Sequence, residues 1–386
     1  MIETMRAGLL AAVAGAALAL SACGETTQGG PEVIASTMPV FHAEGRPEKL
    51  SEWNLLRVAD GGLALNDRVT AYDLNSSLFT DYAHKLRTVW LPADEAAKYD
   101  GEETFDFPVG TVISKTFYYP REGDAVLLAD DTTAERLNSG FALADVRLIE
   151  TRLLVRREAG WEALPYVWNA EQTDAVLKRT GDAQKLTLTG LNGSSSEFTY
   201  IVPNANQCAG CHATNATTRE VMPIGPKARH LNRDFSYAEG AENQLAEWSK
   251  LGLLSGAPEP TDAPRNAVWN DPGASLDSRA RAYLDINCAH CHNRVGPADT
   301  SGLLLEHDAP VGPSLGLCKL PIAAGNGTGG RLFGIVPGKA DQSIFTYRME
   351  STDPSIMMPE LGRSLSHAEG TQLIAEWIAE MDGSCA

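Results

Sequence analysis

The chain has 386 residues, 43% of them hydrophobic, with 50 acidic against 32 basic side chains and a formal charge of −18. This is ordinary globular composition, with room for two or three domains. The acidic balance argues against nucleic acid as a partner, because neutralising phosphates takes a basic face, and leaves either steering toward basic proteins or a merely well-solvated surface.

Residues 1–22 form a targeting segment and are kept out of the fold. Arg6 supplies a positive n-region, and Gly8 to Leu20 is an apolar run too short for a comfortable membrane span. The run ends Leu20-Ser21-Ala22-Cys23-Gly24, which resembles a bacterial lipobox. The resemblance implies that Cys23 becomes a lipidated N-terminus, the alternative being ordinary secretory cleavage near Ala22. A lipid anchors a chain without spanning the bilayer. Gly24 stands where an inner-membrane retention signal places aspartate, which favours the outer membrane and, either way, the periplasmic side.

Residues 23–47, rich in Gly, Thr, Glu and Pro, predict a flexible tether. From 48 to 203 short β-prone runs alternate with turns. The strands expected are Thr88 to Leu91, Thr111 to Tyr119, Arg147 to Arg156, Lys185 to Leu191 and Phe198 to Val202. An antiparallel β-rich domain follows, either a sandwich or a partial barrel. Trp53, Trp90, Trp161, Tyr166 and Trp168 are expected in its core rather than around a ligand. His84, Asp73 and Asp81 stand close in sequence and are assigned to local hydrogen bonding.

Residues 204–256 hold the first motif that carries chemistry, Cys208-Ala209-Gly210-Cys211-His212. A second copy, Cys288-Ala289-His290-Cys291-His292, lies beyond a Pro-, Asp- and Ala-rich connector over 257–274. Cys-x-x-Cys-His is the attachment sequence of c-type haem. Each thiol can form a thioether to one haem vinyl group, and the histidine that follows supplies the proximal imidazole to iron. A four-thiolate zinc ribbon is the competing assignment, but it uses neither histidine and brings its pairs much closer together in sequence. No helix is evident before the first motif. Its distal ligand is left between Met222, His230 and no protein ligand.

Residues 275–386 read as a second haem lobe. Ala280, Tyr283, Leu284 and Asn287 share one helix face that delivers Cys288. Loops follow, then a helix over 341–349 and the sequence Met357-Met358-Pro359. A closing helix is expected to start with a Ser366 to Glu369 capping box and to bury Leu373, Ile374, Trp377, Ile378 and Met381 on one face. Met358 is the expected distal ligand and Met357 the runner-up; His290 is a solvated spacer. Cys318 and Cys385 are left over, either as a disulfide in an oxidising compartment or as two free thiols.

The segment Arg281 to His292, with Val336-Pro337-Gly338, Tyr347-Arg348-Met349 and Met358-Pro359-Glu360-Leu361-Gly362, resembles class I cytochrome c domains. Leu78 to Ala83, Phe107 to Thr111, Asn206-Gln207-Cys208 and Pro223 to Lys227 extend the likeness to a family of bacterial dihaem c-type cytochrome lipoproteins. The resemblance implies a β-rich domain followed by mainly α cytochrome c lobes, two covalent haems and a redox role, and it supplies no substrate. Electron transfer between periplasmic partners asks for no nucleophile or acid–base residue, and none is nominated. The alternatives are a haem enzyme or sensor with an open first site, or a β domain that binds a substrate and passes its electrons on.

Overall fold

The computed structural model describes residues 36–322 and 324–386. Cys23 and the signal and lipid-anchor assignments lie outside these residues. Among the described residues no helix is long and apolar enough to cross a membrane.

A curled sheet organises the N-terminal half. Its central strand, Val112–Glu122, alternates residues between two buried faces and pairs antiparallel with His84–Trp90 on one side and Val146–Arg157 on the other. Gly160–Trp168 folds back on Val146–Arg157 as a hairpin, and Ala175–Leu177 closes that edge. At its far end the central strand meets Ala125–Leu127, which runs parallel to Asp182–Thr189 and through it joins Ser195–Val202. The register against Val146–Arg157 shifts between Phe117 and Tyr118, and irregularities of this kind bend and twist a strand. The result is one curled sheet rather than a two-sheet sandwich.

One face of the sheet carries Trp53, Trp90, Tyr166 and Trp168 in a single apolar cluster, with Trp53 and Tyr166 fully buried, so the aromatics are core as expected. Trp161 is partly buried against the opposite face. On that face, Val89, Ile113 and Leu154 pack with Leu231, Leu245, Trp248 and Ile286, so the segment after residue 204 is built onto the sheet. Residues 36–386 form one compact unit.

Two expectations are corrected here. Residues 36–47 are not a loose tether: Val40 N–H donates to Trp53 O at 2.9 Å, and Arg157 donates to the carbonyls of His42, Ala43 and Gly45 at 2.6–2.9 Å. The C-terminal half is not mainly helical. Overall 23% of the described residues are helix and 27% strand, and among those after residue 204 the longest helix, Ala368–Ala379, has 12 residues. Gly and Pro recur between Gly296 and Gly338, and they hold that stretch in loops and single 3-10 turns.

The core of this half forms where Leu276–Leu284 crosses Ala368–Ala379, burying Tyr283, Leu284, Ile374 and Trp377. A Cβ at Gly370 would stand 2.4 Å from the Tyr283 ring, so only glycine allows this approach. The expected capping box at Ser366 to Glu369 does not form; His367 is the N-cap, with no side-chain cap. Tyr82 OH takes the Glu369 carboxylate instead, at 2.9 Å. Cys318 and Cys385 are joined in a disulfide that closes 67 residues and ties the C-terminus to this core.

Candidate functional site

The second motif stands on a helix that its sequence explains. Ser275 caps it by accepting the Ser278 N–H, and the helix Leu276–Leu284 widens into a π turn, Asp285–Ala289, that carries Cys288. Asp285 is buried at the junction. It accepts hydrogen bonds from Arg229 Nε at 2.8 Å and Nη2 at 3.2 Å and from Asn266 at 2.8 Å. Burial alone would raise the Asp285 carboxyl, but Arg229, His230 and Asn266 outweigh it and hold the group down at about 2.

Beside this turn opens a cavity of about 430 Å³, within the span of roughly 300–1,000 Å³ common to cofactor sites. Cys288, Cys291, His292 and Met358 all line it, among apolar neighbours such as Leu284, Leu305 and Phe345. Burial, with Arg348 nearby, lowers His292 to about 4, so its imidazole is neutral at pH 7, the state that binds metal. Its Nδ1–H faces Ser301 Oγ at 3.1 Å, while that hydroxyl donates to Ala298 O at 2.7 Å. This fixes the ring and leaves Nε2 free for the cavity, as in an imidazole oriented to ligate. Burial holds the Cys288 and Cys291 thiols up at about 12, so both are protonated.

The sequence put Met358 ahead of Met357, its runner-up, and the geometry separates them further. Met357 is 6% exposed and does not line the cavity; Met358 does. Arg348 and Arg363 set this register. Met358 N–H donates to Arg348 O at 3.0 Å, Arg363 Nη2 donates to Met358 O at 3.0 Å, and Arg348 Nε donates to Ile356 O at 2.7 Å.

The sheet domain completes the cavity, a role that no sequence motif announced. Phe79 lines it, donates its N–H to Asn287 Oδ1 at 2.8 Å and stacks on His367 with centroids 4.4 Å apart. Asp81, next to it, accepts the N–H groups of Ser364 and Leu365, both at 2.7 Å. Burial raises the Asp81 carboxyl to about 6 despite those bonds. His84 Nε2–H donates to Ala129 O at 3.0 Å, and Asp73 pairs with Arg87 and Arg233. The three side chains do not converge on one centre.

The first motif lies on a helix that the sequence reading missed. Ala205–His212 is opened by a reciprocal cap: Asn204 accepts from Gln207 N–H while Gln207 Oε1 accepts from Asn204 N–H, both at 2.9 Å. The Asn204-x-x-Gln207 pattern was the available signal. Burial and the charge of Lys115 lower His212 to about 3. Its Nδ1–H donates to Met222 O at 2.7 Å, and Met222 N–H returns to His212 O at 2.8 Å. Met222 therefore holds the imidazole by its backbone, at Nδ1, on the side of the ring away from Nε2. His230 lies elsewhere. It is 2% exposed and packs its Nε2 3.4 Å from Asp285, in the network that supports the second motif.

Across the sheet face near the first motif runs a row of cations. Arg87 pairs in register with Lys115, and Lys115 with Arg152. Lys85, Lys115 and Arg152 all approach the Phe117 ring, at 5.7, 5.2 and 4.3 Å. Asp73 answers Arg87 and Glu150 answers Arg152, with Tyr200 OH also on Glu150 at 2.8 Å. Among the described residues Lys115 has no acidic partner within ion-pair distance. Burial, then Arg152 and Arg87, lower it to about 7.

His290, expected in solvent, is half-buried and lines the cavity. Among the described residues no three His, Cys, Asp or Glu side chains are grouped to hold a metal ion between them. Comparison of the chain with protein-family models, with curated proteins and with solved structures gives no match in any of the three.

Proposed function

We propose that the chain is a dihaem c-type cytochrome, anchored by lipid at Cys23 on the periplasmic side of a bacterial membrane, that carries electrons between redox partner proteins. The observation behind this reading is the shared cavity. Cys288, Cys291, His292 and Met358, nominated from two separate stretches of sequence, face one space large enough for a cofactor. Haem bound there supplies a one-electron iron couple.

The chain's own residues do the rest. Cys288 and Cys291 offer thiols for covalent attachment, and Ser301 orients His292 so that Nε2 reaches inward. Met358 contributes a neutral, soft thioether that favours ferrous iron and raises the potential. Leu284, Leu305 and Phe345 keep water out, which tunes potential further. Cys208, Cys211 and His212 repeat the attachment set at the first site, where Met222 O holds the ring. A tetrahedral zinc site needs four donors, a set not grouped among the described residues, whereas haem iron takes one or two from the protein.

Spectroelectrochemistry tests this. Two haem waves are expected, and Met358→Ala lowers the midpoint of one while leaving the other in place. A protein with no haem absorption, or a Met358→Ala variant with both midpoints unchanged, overturns it.

One observation favours a second reading for the first site. His230 is buried against Asp285 in the network of the second motif, and Met222 is tied to His212 by its backbone, so neither would be pre-set to ligate a haem held by His212. An open haem beside Lys115 and Arg152 suits an enzyme or sensor of a small ligand. Carbon monoxide added to the reduced protein separates the two: binding at one haem supports the second reading, and no binding at either supports the pure carrier.

A further inference from the structure

A second cavity, of about 180 Å³, opens at the sheet edge, and neither Cys-x-x-Cys-His segment borders it. Strand Thr70–Tyr72 stops pairing with His84–Trp90 at Arg87, which leaves Lys85 and Leu86 beyond its reach on that side. The turn from Asp131 to Glu135 and the segment from Arg233 to Ser236 wall the gap instead. Its volume falls below the roughly 300–1,000 Å³ of drug-sized sites, so a ligand held there is small.

Lys85 is the member of this wall that electron transfer leaves unused. It is 6% exposed, and its Nζ donates to Ala83 O at 2.6 Å. Among the described residues no carboxylate lies within ion-pair distance of it. Asp73 is taken by Arg87 and Arg233, and Asp131 by Thr133. Burial, then the charges of Arg87 and Lys115, lower the Lys85 amine to about 7, so a large share is uncharged at neutral pH. A desolvated lysine beside other cations is a nucleophile toward carbonyl carbon. Lys115 shares the lowered range but does not border the cavity. On the same wall Arg233 donates from Nη1 to Asp73 and to Leu74 O and from Nε to Asp234 O. Its Nη2 has no partner among the described residues, and a guanidinium edge of this kind receives a carboxylate.

We propose that this cavity takes a small 2-oxo acid, with its carboxylate on Arg233 and its carbonyl carbon condensed with Lys85 as a Schiff base. In the step the Lys85 nitrogen bonds the carbonyl carbon, the carbon–oxygen bond breaks, and the oxygen leaves as water with both amine protons. No electron is exchanged, and the site stands whether or not haem is bound elsewhere.

The test incubates the full chain with pyruvate and sodium cyanoborohydride at pH 7, weighs it intact and maps its peptides. One reduced adduct per chain is expected, on Lys85. Lys85→Met and Lys85→Arg are both expected to lose it and Lys115→Met to keep it, each with the far-ultraviolet circular dichroism of wild type. Arg233→Met is expected to lower capture of pyruvate about tenfold, the loss of one charge-assisted hydrogen bond, and to leave capture of acetaldehyde unchanged. No adduct, an adduct spread over exposed lysines, or one retained in the folded Lys85 variants overturns the site. Equal loss of pyruvate and acetaldehyde in Arg233→Met overturns the 2-oxo acid as its ligand.

Discussion

Replacing Asp285 with alanine probes how the second motif is held. The carboxylate is 4% exposed and carries three hydrogen bonds, two from Arg229 and one from Asn266. Its removal leaves the Arg229 guanidinium, 5% exposed, without its counter-charge. Breaking a buried pair in this way costs about 3–5 kcal/mol, because the remaining charge stays desolvated. The carboxyl also falls from an ordinary 3.8 to about 2 on folding. The folded state therefore binds its proton less readily than the unfolded state, and the linked stability, about 2 kcal/mol, is present above pH ~4 and lost as pH falls toward ~2. Urea unfolding of the holoprotein, followed by the fluorescence of its seven tryptophans, measures both effects. At pH 7 Asp285→Ala is expected to lose about 3–5 kcal/mol, the gap to wild type narrowing in acid, and a cycle with Arg229→Met to show coupling of about 1–3 kcal/mol. A loss under about 1 kcal/mol, or additive single variants, would refute the ion-pair reasoning.

Other substitutions test other joints. Asp81 is raised to about 6 on folding, so its ionised form opposes the fold: that contribution favours folding below pH ~4 and is lost as pH rises through ~6. Asp81→Asn, which keeps an acceptor for Ser364 and Leu365, is expected to gain about 1–2 kcal/mol at pH 8, and Asp81→Ala to lose about 1–3 kcal/mol, both read by urea titration. Gly370→Ala drives a methyl into the Tyr283 ring and is expected to lower stability by about 1–3 kcal/mol in thermal melts; an unchanged melting point contradicts the packing. Opening the Cys318–Cys385 bridge with serines releases a 67-residue loop and is expected to cost about 2–4 kcal/mol by denaturant unfolding. Lys115→Met removes an unpaired cation beside the first motif and is expected to lower the midpoint of one haem by the equivalent of about 1 kcal/mol, measured by redox titration.

Five strands between Thr88 and Val202 were legible because alternation and turn residues are local signals, whereas Gly160–Trp168 was not read as one; both Cys-x-x-Cys-His segments stand out because each is five consecutive residues. What the sequence hid is long-range. Glu369 has the spacing of a capping box, yet Tyr82, 287 positions away, claims its carboxylate. Phe79 carries no motif, and its place in the cavity wall depends on Asn287 and His367 meeting it from the far end of the chain. Met357 and Met358 differ only in how Arg348 and Arg363 anchor the loop, which periodicity cannot register. The helices read from apolar spacing after residue 204 form, at Gln244–Lys250, Leu276–Leu284, Ile344–Glu350 and Ala368–Ala379. It was the resemblance that implied mainly α lobes, where glycine and proline keep the stretches between those helices in loops and single turns.

The central chemical claim is two covalent haems, and it is open to one direct measurement. The full chain, exported from a host competent for cytochrome maturation, is weighed intact and assayed as its pyridine haemochrome. Two haems per polypeptide, surviving denaturation and falling to one in Cys288→Ala/Cys291→Ala, is the expected result. A colourless protein, or one whose mass shows zinc and no porphyrin, would contradict it.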